Sequence, residues 1–145
     1  MAVTSYWYGQ ALKNVLSGEG LNWTNDTIKV MLCSSSYVPN QDTHQFISDI
    51  TGEISGTGYT AGGETLTNKT ITYDSETNQT VLDADDVTWS NATLTARYAV
   101  IYKDTGVPTT SLLLGYIDFG TDVSSTNGNF TIQWDTNGIF TITAS

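Results

Sequence analysis

The longest stretch of strand-favouring residues without a turn former spans residues 94–103. Alternate side chains of a strand point to opposite faces. The two faces here would carry Tyr98, Val100 and Tyr102, and Arg97, Ala99 and Ile101. Because both faces are mostly apolar, each is expected to lie under another layer of the protein. The pattern predicts that this stretch is the central strand of a sheet.

Other apolar runs predict the strands around it. Residues 28–33 alternate at first and then become continuously apolar, and residues 112–119 are apolar on both faces. Both patterns are typical of interior strands. A short strand is expected at 87–89, followed by a turn at 90–92 that leads into the central strand, and residues 124–129 are expected to form a loop.

Two hairpins are expected from alternating segments on either side of turn sequences. The C-terminal one pairs residues 130–134 with 139–143 across Asp-Thr-Asn-Gly. The other pairs 65–74 with 80–83, and places Ile71 and Tyr73 on one face with Val81 of the partner strand.

One or two short helices are expected towards the N-terminus. Tyr8, Leu12, Val15 and Leu16 stand near helical spacing, and Gly18 is placed to end that helix. Residues 42–49 could form two further turns, capped by Asp42, with apolar side chains facing inward at Phe46, Ile47 and Ile50.

The number of short strands indicates the fold class. About eight to ten strands separated by turns fit two packed antiparallel sheets, whereas a parallel sheet would need a helix between successive strands. We predict an all-β antiparallel β-sandwich, with a jelly-roll preferred. The sequence is expected to form a single domain over residues 1–145, with an N-terminal aromatic arm and short helix in about residues 1–20.

Composition limits the partners of this chain. The formal net charge is −10, and Lys and Arg together number only 5. Nucleic-acid binding depends on clustered cations that release counterions, so we expect no nucleic-acid partner. The chain has neither a secretory leader pattern nor an apolar run of membrane-spanning length, which predicts a protein made in the cytoplasm without membrane contact.

Few residues offer chemistry. Cys33 lies in an apolar run, where a buried hydrophobe is expected rather than a reactive thiol. His44, the only histidine, has Asp42 and Asp49 beside it, but one histidine and two acids serve equally well as cap and solvated charge. The glycine-rich residues 54–63 lack the lysine of a phosphate loop.

Carboxylates are the remaining candidates for catalysis or metal binding. Those considered are Asp83, Asp85, Asp86 and Asp118. Their spacing lacks the ligand ladder of a known calcium loop, and nothing in the sequence makes two of them converge, as a glycan hydrolase would require. We expect no cofactor, no metal site and no enzyme activity.

Several motifs, in this order, resemble those of a widespread group of small structural proteins of tailed bacteriophages. The first are Tyr-Val-Pro-Asn-Gln-Asp-Thr-His at 37–44, Glu-Ile-Ser-Gly-Thr-Gly-Tyr-Thr-Ala-Gly-Gly at 53–63 and Leu-Thr-Asn-Lys-Thr at 66–70. The later ones are Asp-Ala-Asp-Asp-Val-Thr-Trp at 83–89, Ala-Arg-Tyr-Ala-Val-Ile-Tyr at 96–102 and Leu-Gly-Tyr-Ile-Asp-Phe-Gly at 114–120. The likeness spans nearly the whole chain.

The resemblance implies a virion component without catalytic residues. It favours a capsid decoration (cement) protein on the capsid exterior, which binds and stabilises the shell of the major capsid protein and assembles as a homotrimer. The alternative is a tail- or fibre-associated module that recognises host surface glycan. For that function, Trp7, Trp23 or Tyr59 would lie exposed beside Asn and Asp side chains.

Aromatic residues are the predicted contact surface. Tyrosine provides a large contact area at low entropic cost, and an aromatic arm at 6–8 is more apolar than a lone chain end needs to be. The predicted interface residues are Tyr6, Trp7, Tyr8, Tyr37 and Tyr59.

Overall fold

The computed structural model describes residues 2–144, except for the side chains of Ala2 and Glu19. It contains nine strands: β1 (Ala2–Val3), β2 (Tyr6–Trp7), β3 (Ile28–Cys33), β4 (Glu64–Thr65), β5 (Thr70–Asp74), β6 (Gln79–Asp83), β7 (Val87–Lys103), β8 (Leu113–Trp134) and β9 (Phe140–Thr143). Helix α1 (Gly9–Asn14) continues into an irregular turn at Val15–Glu19, and a 3-10 turn lies at Ile47–Asp49.

The strands form two sheets, which confirms the predicted all-β sandwich. The larger sheet has the order β1-β8-β7-β3-β4, and β2 also pairs with β8. The smaller sheet has the order β5-β6-β9. All pairs between strands are antiparallel except β1 with β8. These strand orders do not confirm the jelly-roll arrangement.

The central position of residues 94–103 is confirmed. They form the second half of β7, which pairs with β3 on one side and β8 on the other. Ala99 and Ile101 face the core between the two sheets, and Val100 and Tyr102 face a second apolar cluster on the far side of the larger sheet. Helix α1 and the segment 37–50 cover that second cluster through Ala11, Tyr37, Ile47 and Ile50.

Strands β7 and β8 are longer than their patterns predicted. The expected turn at 90–92 and the expected loop at 124–129 both lie inside continuous strands. The ladder between these strands changes register between Trp89 and Ala92, and both Asn91 and Asn127 adopt positive φ. Asparagine tolerates this conformation, so the turn-forming residues make bulges here instead of ending the strands.

The predicted C-terminal hairpin is wrong. The turn after β8 forms, since the N–H of Gly138 donates to the Asp135 carbonyl at 2.9 Å. However, β9 then pairs with β6 of the smaller sheet, and β1 lies beside the end of β8. Crossing between the sheets buries Ile139 and Phe140 in the core that the two sheets share, which explains the different partner.

The hairpin of β5 and β6 is confirmed, with its turn at 75–78. One detail differs, because Val81 lies opposite Thr72 and therefore on the other face from Ile71 and Tyr73. The expected helix at 42–49 is reduced to the 3-10 turn. Asp49 accepts the backbone N–H groups of Gln45 and Phe46 at 2.8 and 3.1 Å, so its carboxylate holds a single turn.

Candidate protein-contact surface

The N-terminal aromatic segment folds onto its own chain. Trp7 stacks on Phe140 with ring centroids 4.2 Å apart and donates its indole N–H to the Thr141 carbonyl. Tyr6 stays exposed, whereas Tyr8 is 1% exposed. The prediction that Tyr8 belongs to a contact surface is therefore wrong, because β2 pairs with β8 and carries the segment over the sheet.

Tyr37 is also 1% exposed, so its assignment to the interface is wrong as well. Its hydroxyl lies 2.7 Å from that of Tyr8 and 2.9 Å from Nδ1 of His44. The backbone N–H of Asn40 donates to the same Nδ1, which must therefore be an acceptor. Tyr8 thus donates to Tyr37, and Tyr37 donates to His44. The lone histidine supports a buried hydrogen-bond chain.

Burial keeps Tyr8 and Tyr37, the two tyrosines of this hydrogen-bond chain, neutral. It raises the pKa of Tyr8 far above its usual range, with a further rise from the hydrogen bond to Tyr37. Burial likewise raises the pKa of Tyr37 to about 12. The chain of hydroxyl groups ties α1 to the segment 37–50 and closes the far side of the larger sheet.

Tyr59, in the glycine-rich segment, is half-buried. Its hydroxyl donates to Oε2 of Glu53 at 2.7 Å and accepts the N–H of Leu32 at 3.1 Å. The same Glu53 oxygen accepts the N–H of Gly62. Burial raises the pKa of Tyr59 well above its usual range. Tyr59 therefore fastens the segment to β3 through its hydroxyl, and its place in an interface stays a prediction.

The carboxylates singled out in the sequence each bond a different group of the chain. The N–H groups that they accept are those of Ala84 for Asp83, Trp134 for Asp86 and Gly120 for Asp118, and Asp85 accepts the side-chain amide of Asn68. Among residues 2–144, no three His, Cys, Asp or Glu side chains come together as a metal site. Burial raises the pKa of the Cys33 thiol to about 12, which makes it unreactive.

An incompletely covered apolar surface lies where α1 and its following turn face the smaller sheet. An open cleft of about 200 Å³ runs between them. Its walls are Trp7, Leu12, Val15, Leu16, Leu21, Trp23, Ile71, Leu82 and Ile142. Leu16 is 84% exposed and Ile71 is 51% exposed. We call these walls the apolar cleft.

The cleft exists because the smaller sheet extends beyond the core. Ile71 and Tyr73 share the inner face of this sheet with Leu82 and Phe140, which are buried. On the outermost strand, β5, the same face no longer meets the larger sheet, and Tyr73 is 59% exposed. The sequence predicted the shared face of Ile71 and Tyr73. It did not predict that β5 would be an edge strand, so the exposure was missed.

A second open cleft is more polar. It has a volume of about 220 Å³ and lies between the N-terminal segment and the turn after β8. The side chains of Ser5, Trp7, Asp135 and Asn137 line it, and the Ser5 hydroxyl has no hydrogen-bond partner. Trp23, another aromatic residue expected to be exposed in a glycan-binding module, is buried.

The charges leave an anionic surface. Lys29, Arg97 and Lys103 form ion pairs with Asp104, Asp122 and Asp26. The amine of Lys69 donates to the Asp26 carbonyl. Within the described residues, Lys13 is the one cation without an ion pair or side-chain hydrogen bond. The exterior is thus dominated by carboxylates.

No helix in residues 2–144 has both the length and the apolar character needed to cross a membrane. No protein-family model, curated protein or solved structure matches the chain.

Proposed function

We propose that this chain is a virion structural protein that works by contact with other proteins, as a capsid decoration (cement) protein on the outer surface of the major capsid protein shell. It would stabilise the shell by spreading contacts over neighbouring subunits, whose weak individual affinities combine through multivalency. Copies of the chain are expected to associate, and the resemblance implies a homotrimer.

The apolar cleft carries the proposal. Exposed large apolar side chains grouped on one surface are typical of protein contacts, whereas single scattered ones need no explanation. Leu16 and Ile71 line one cleft, and Tyr73 follows Ile71 on the same face of β5. The anionic exterior adds a preference for partner surfaces that are neutral or basic.

Localisation on the intact virion tests the proposal. Density for this fold that repeats over the capsid lattice in a cryo-EM map would support a decoration protein. Density confined to the tail or its fibres, or its absence from purified particles, would overturn that function. The Leu16→Ser variant is expected to bind capsids less tightly, and Val38→Ser, which changes an exposed apolar residue of another loop, is the matched control.

The polar cleft favours a second function, glycan recognition by a tail- or fibre-associated module. It places one aromatic ring, Trp7, beside Asp135 and Asn137, the combination expected for a sugar that stacks on a ring and donates its hydroxyls. Calorimetric titration with host surface oligosaccharides tests it. Heat that disappears in Asn137→Ala, which leaves the Trp7 ring in place, would support glycan binding.

A further inference from the structure

We infer that the outer edge of β5 is a self-association surface, at which two copies of the chain join their smaller sheets into one continuous sheet. The inference concerns how copies meet and does not depend on where the protein is located. It rests on the backbone of β5, on its sequence and on the apolar cleft beside it.

The backbone of β5 offers unused hydrogen-bonding groups. On the neighbouring strand β6 and its flank, two carbonyls point to β9, because Asn78 accepts from Ala144 at 2.7 Å and Leu82 accepts from Ile139 at 2.8 Å. Carbonyl directions alternate along a strand. The β6 residues that bond β5 are therefore 79, 81 and 83, which lie opposite Asp74, Thr72 and Thr70.

Ile71 and Tyr73 consequently direct their N–H and C=O groups away from β6, along the outer edge of the sheet. Within residues 2–144 no other strand pairs with that edge. Native proteins usually protect such an edge with proline or with charged side chains inside the strand. Here the one charged residue of β5 is Asp74 at its last position, and no proline occurs in the strand. Lys69 stands just before β5, but its amine is held by the Asp26 carbonyl. The edge is open to pairing.

The sequence of β5 is complementary to itself in the antiparallel direction. If the pairing is centred on Thr72, Ile71 of each copy lies opposite Tyr73 of the other. Both residues direct backbone groups outward, so this register forms four hydrogen bonds across the contact. Shifting it by two residues in either direction would leave some of these groups without partners. No like charges face one another, because Asp74 meets Thr70 and Lys69 meets Ser75.

The same register continues the apolar inner face of the smaller sheet. Opposite residues of an antiparallel pair point to the same face, about 5 Å apart. Tyr73 of the second copy therefore extends the inner face beyond exposed Ile71. An unrelated strand would match the backbone of this edge, but it would need the same alternation and the same charge order to match its side chains. The second copy has both.

The contact is isologous and joins two copies, so a homotrimer would need a different surface. Each chain carries a formal charge of −10, and two copies repel one another. Salt screens that repulsion. The dimer is expected to tighten as salt concentration rises, which is opposite to the behaviour of a contact held by ion pairs.

Disulfide trapping tests the register. In this pairing Thr72 lies on the two-fold axis facing its own copy, at a separation that a disulfide can span. Thr70, which lies on the same strand and face and is also exposed, lies about 13 Å from its copy. Under mild oxidation Thr72→Cys is expected to form covalent dimers and Thr70→Cys to stay monomeric, while buried Cys33 is unreactive in both. Equal cross-linking of the two variants, or none in Thr72→Cys, would overturn the inference.

The mass of the unmodified chain provides a second measurement. Sedimentation across concentration should give a monomer–dimer equilibrium, and Ile71→Lys should weaken it by at least about tenfold, since each lysine lies opposite the tyrosine of the other copy. Val38→Lys, a comparable change at an exposed apolar residue outside β5, should leave the equilibrium unaffected. A monomer at all concentrations, or a trimer that Ile71→Lys leaves intact, would overturn the two-fold contact. Neither result would bear on whether the protein coats a capsid.

Discussion

The hydrogen-bond chain from Tyr8 through Tyr37 to His44 predicts that its two tyrosine hydroxyls contribute unequally to stability. Tyr8 is a donor with one acceptor, the Tyr37 hydroxyl at 2.7 Å. Tyr37 is both an acceptor for Tyr8 and a donor to His44 at 2.9 Å. Removing the Tyr37 hydroxyl therefore leaves the Tyr8 hydroxyl without an acceptor. Removing the Tyr8 hydroxyl leaves no buried polar group without a partner.

The magnitudes follow from burial. In Tyr37→Phe, the Tyr8 hydroxyl loses its partner in a site that is 1% exposed, and leaving a buried polar group unsatisfied costs about 1–3 kcal/mol. In Tyr8→Phe, Tyr37 still donates to His44, and the loss is that of one ordinary hydrogen bond, about 0.5–1.5 kcal/mol. In the double variant no hydroxyl is left over, so its cost should not exceed that of Tyr37→Phe alone.

Urea unfolding followed by tryptophan fluorescence measures all three variants. With a denaturant dependence of about 2 kcal/mol per molar, Tyr37→Phe should lower the midpoint by roughly 1 M and Tyr8→Phe by roughly half as much. A Tyr8→Phe variant that is the less stable of the two singles would refute the donor directions assigned to the chain. If the loss of stability in the double variant equals the sum of the two single losses, the unsatisfied Tyr8 hydroxyl is not the cause of the cost of Tyr37→Phe.

Two further predictions concern stability. Gly115→Ala places a Cβ against the Phe140 ring and 2.5 Å from the Tyr6 carbonyl oxygen, so it should cost about 3 kcal/mol and lower the melting temperature by roughly 10 °C in calorimetry. Gly128→Ala, with its nearest atom 3.5 Å away, should change the melting temperature little, and equal effects of the two substitutions would contradict the packing argument. Backbone N–H groups of Gln45 and Phe46 lower the pKa of Asp49, so the unfolded chain binds the proton more readily, and the contribution of Asp49 to stability falls as pH drops below about 4. Asp49→Ala should therefore cost about 1 kcal/mol of unfolding free energy at pH 7 and less at pH 3. An equal cost at both pH values would refute the link to ionisation.

The sequence predicted the elements whose patterns are local. The apolar faces of residues 94–103 and 28–33 identified interior strands, because burial on both faces leaves a continuous apolar run. The turn at 75–78 identified the hairpin of β5 and β6. In each case, neighbouring residues alone determine the structure.

Predictions that depended on distant partners were less successful. In the sequence, Tyr8 and Tyr37 cannot be told from surface tyrosines. Only the approach of two segments 29 residues apart shows that they bury one another. Asn91 and Asn127 are good turn formers, yet the long ladder between β7 and β8 turns them into bulges. Tertiary pairing overrode local propensity at these positions.

The wrong partner predicted for the C-terminal strand also explains why the open edge of β5 was missed. Had β9 remained beside β8, β6 would have lacked its second neighbour, and β5 with β6 would have been a two-stranded hairpin, which is marginal in water. By crossing over, β9 buries Phe140 beneath Trp7 and makes β6 a central strand. The same crossing leaves β5 as the outer edge, with Ile71 and Tyr73 beyond the core. The open edge and the apolar cleft beside it are thus consequences of a single long-range pairing that alternation along the chain does not encode.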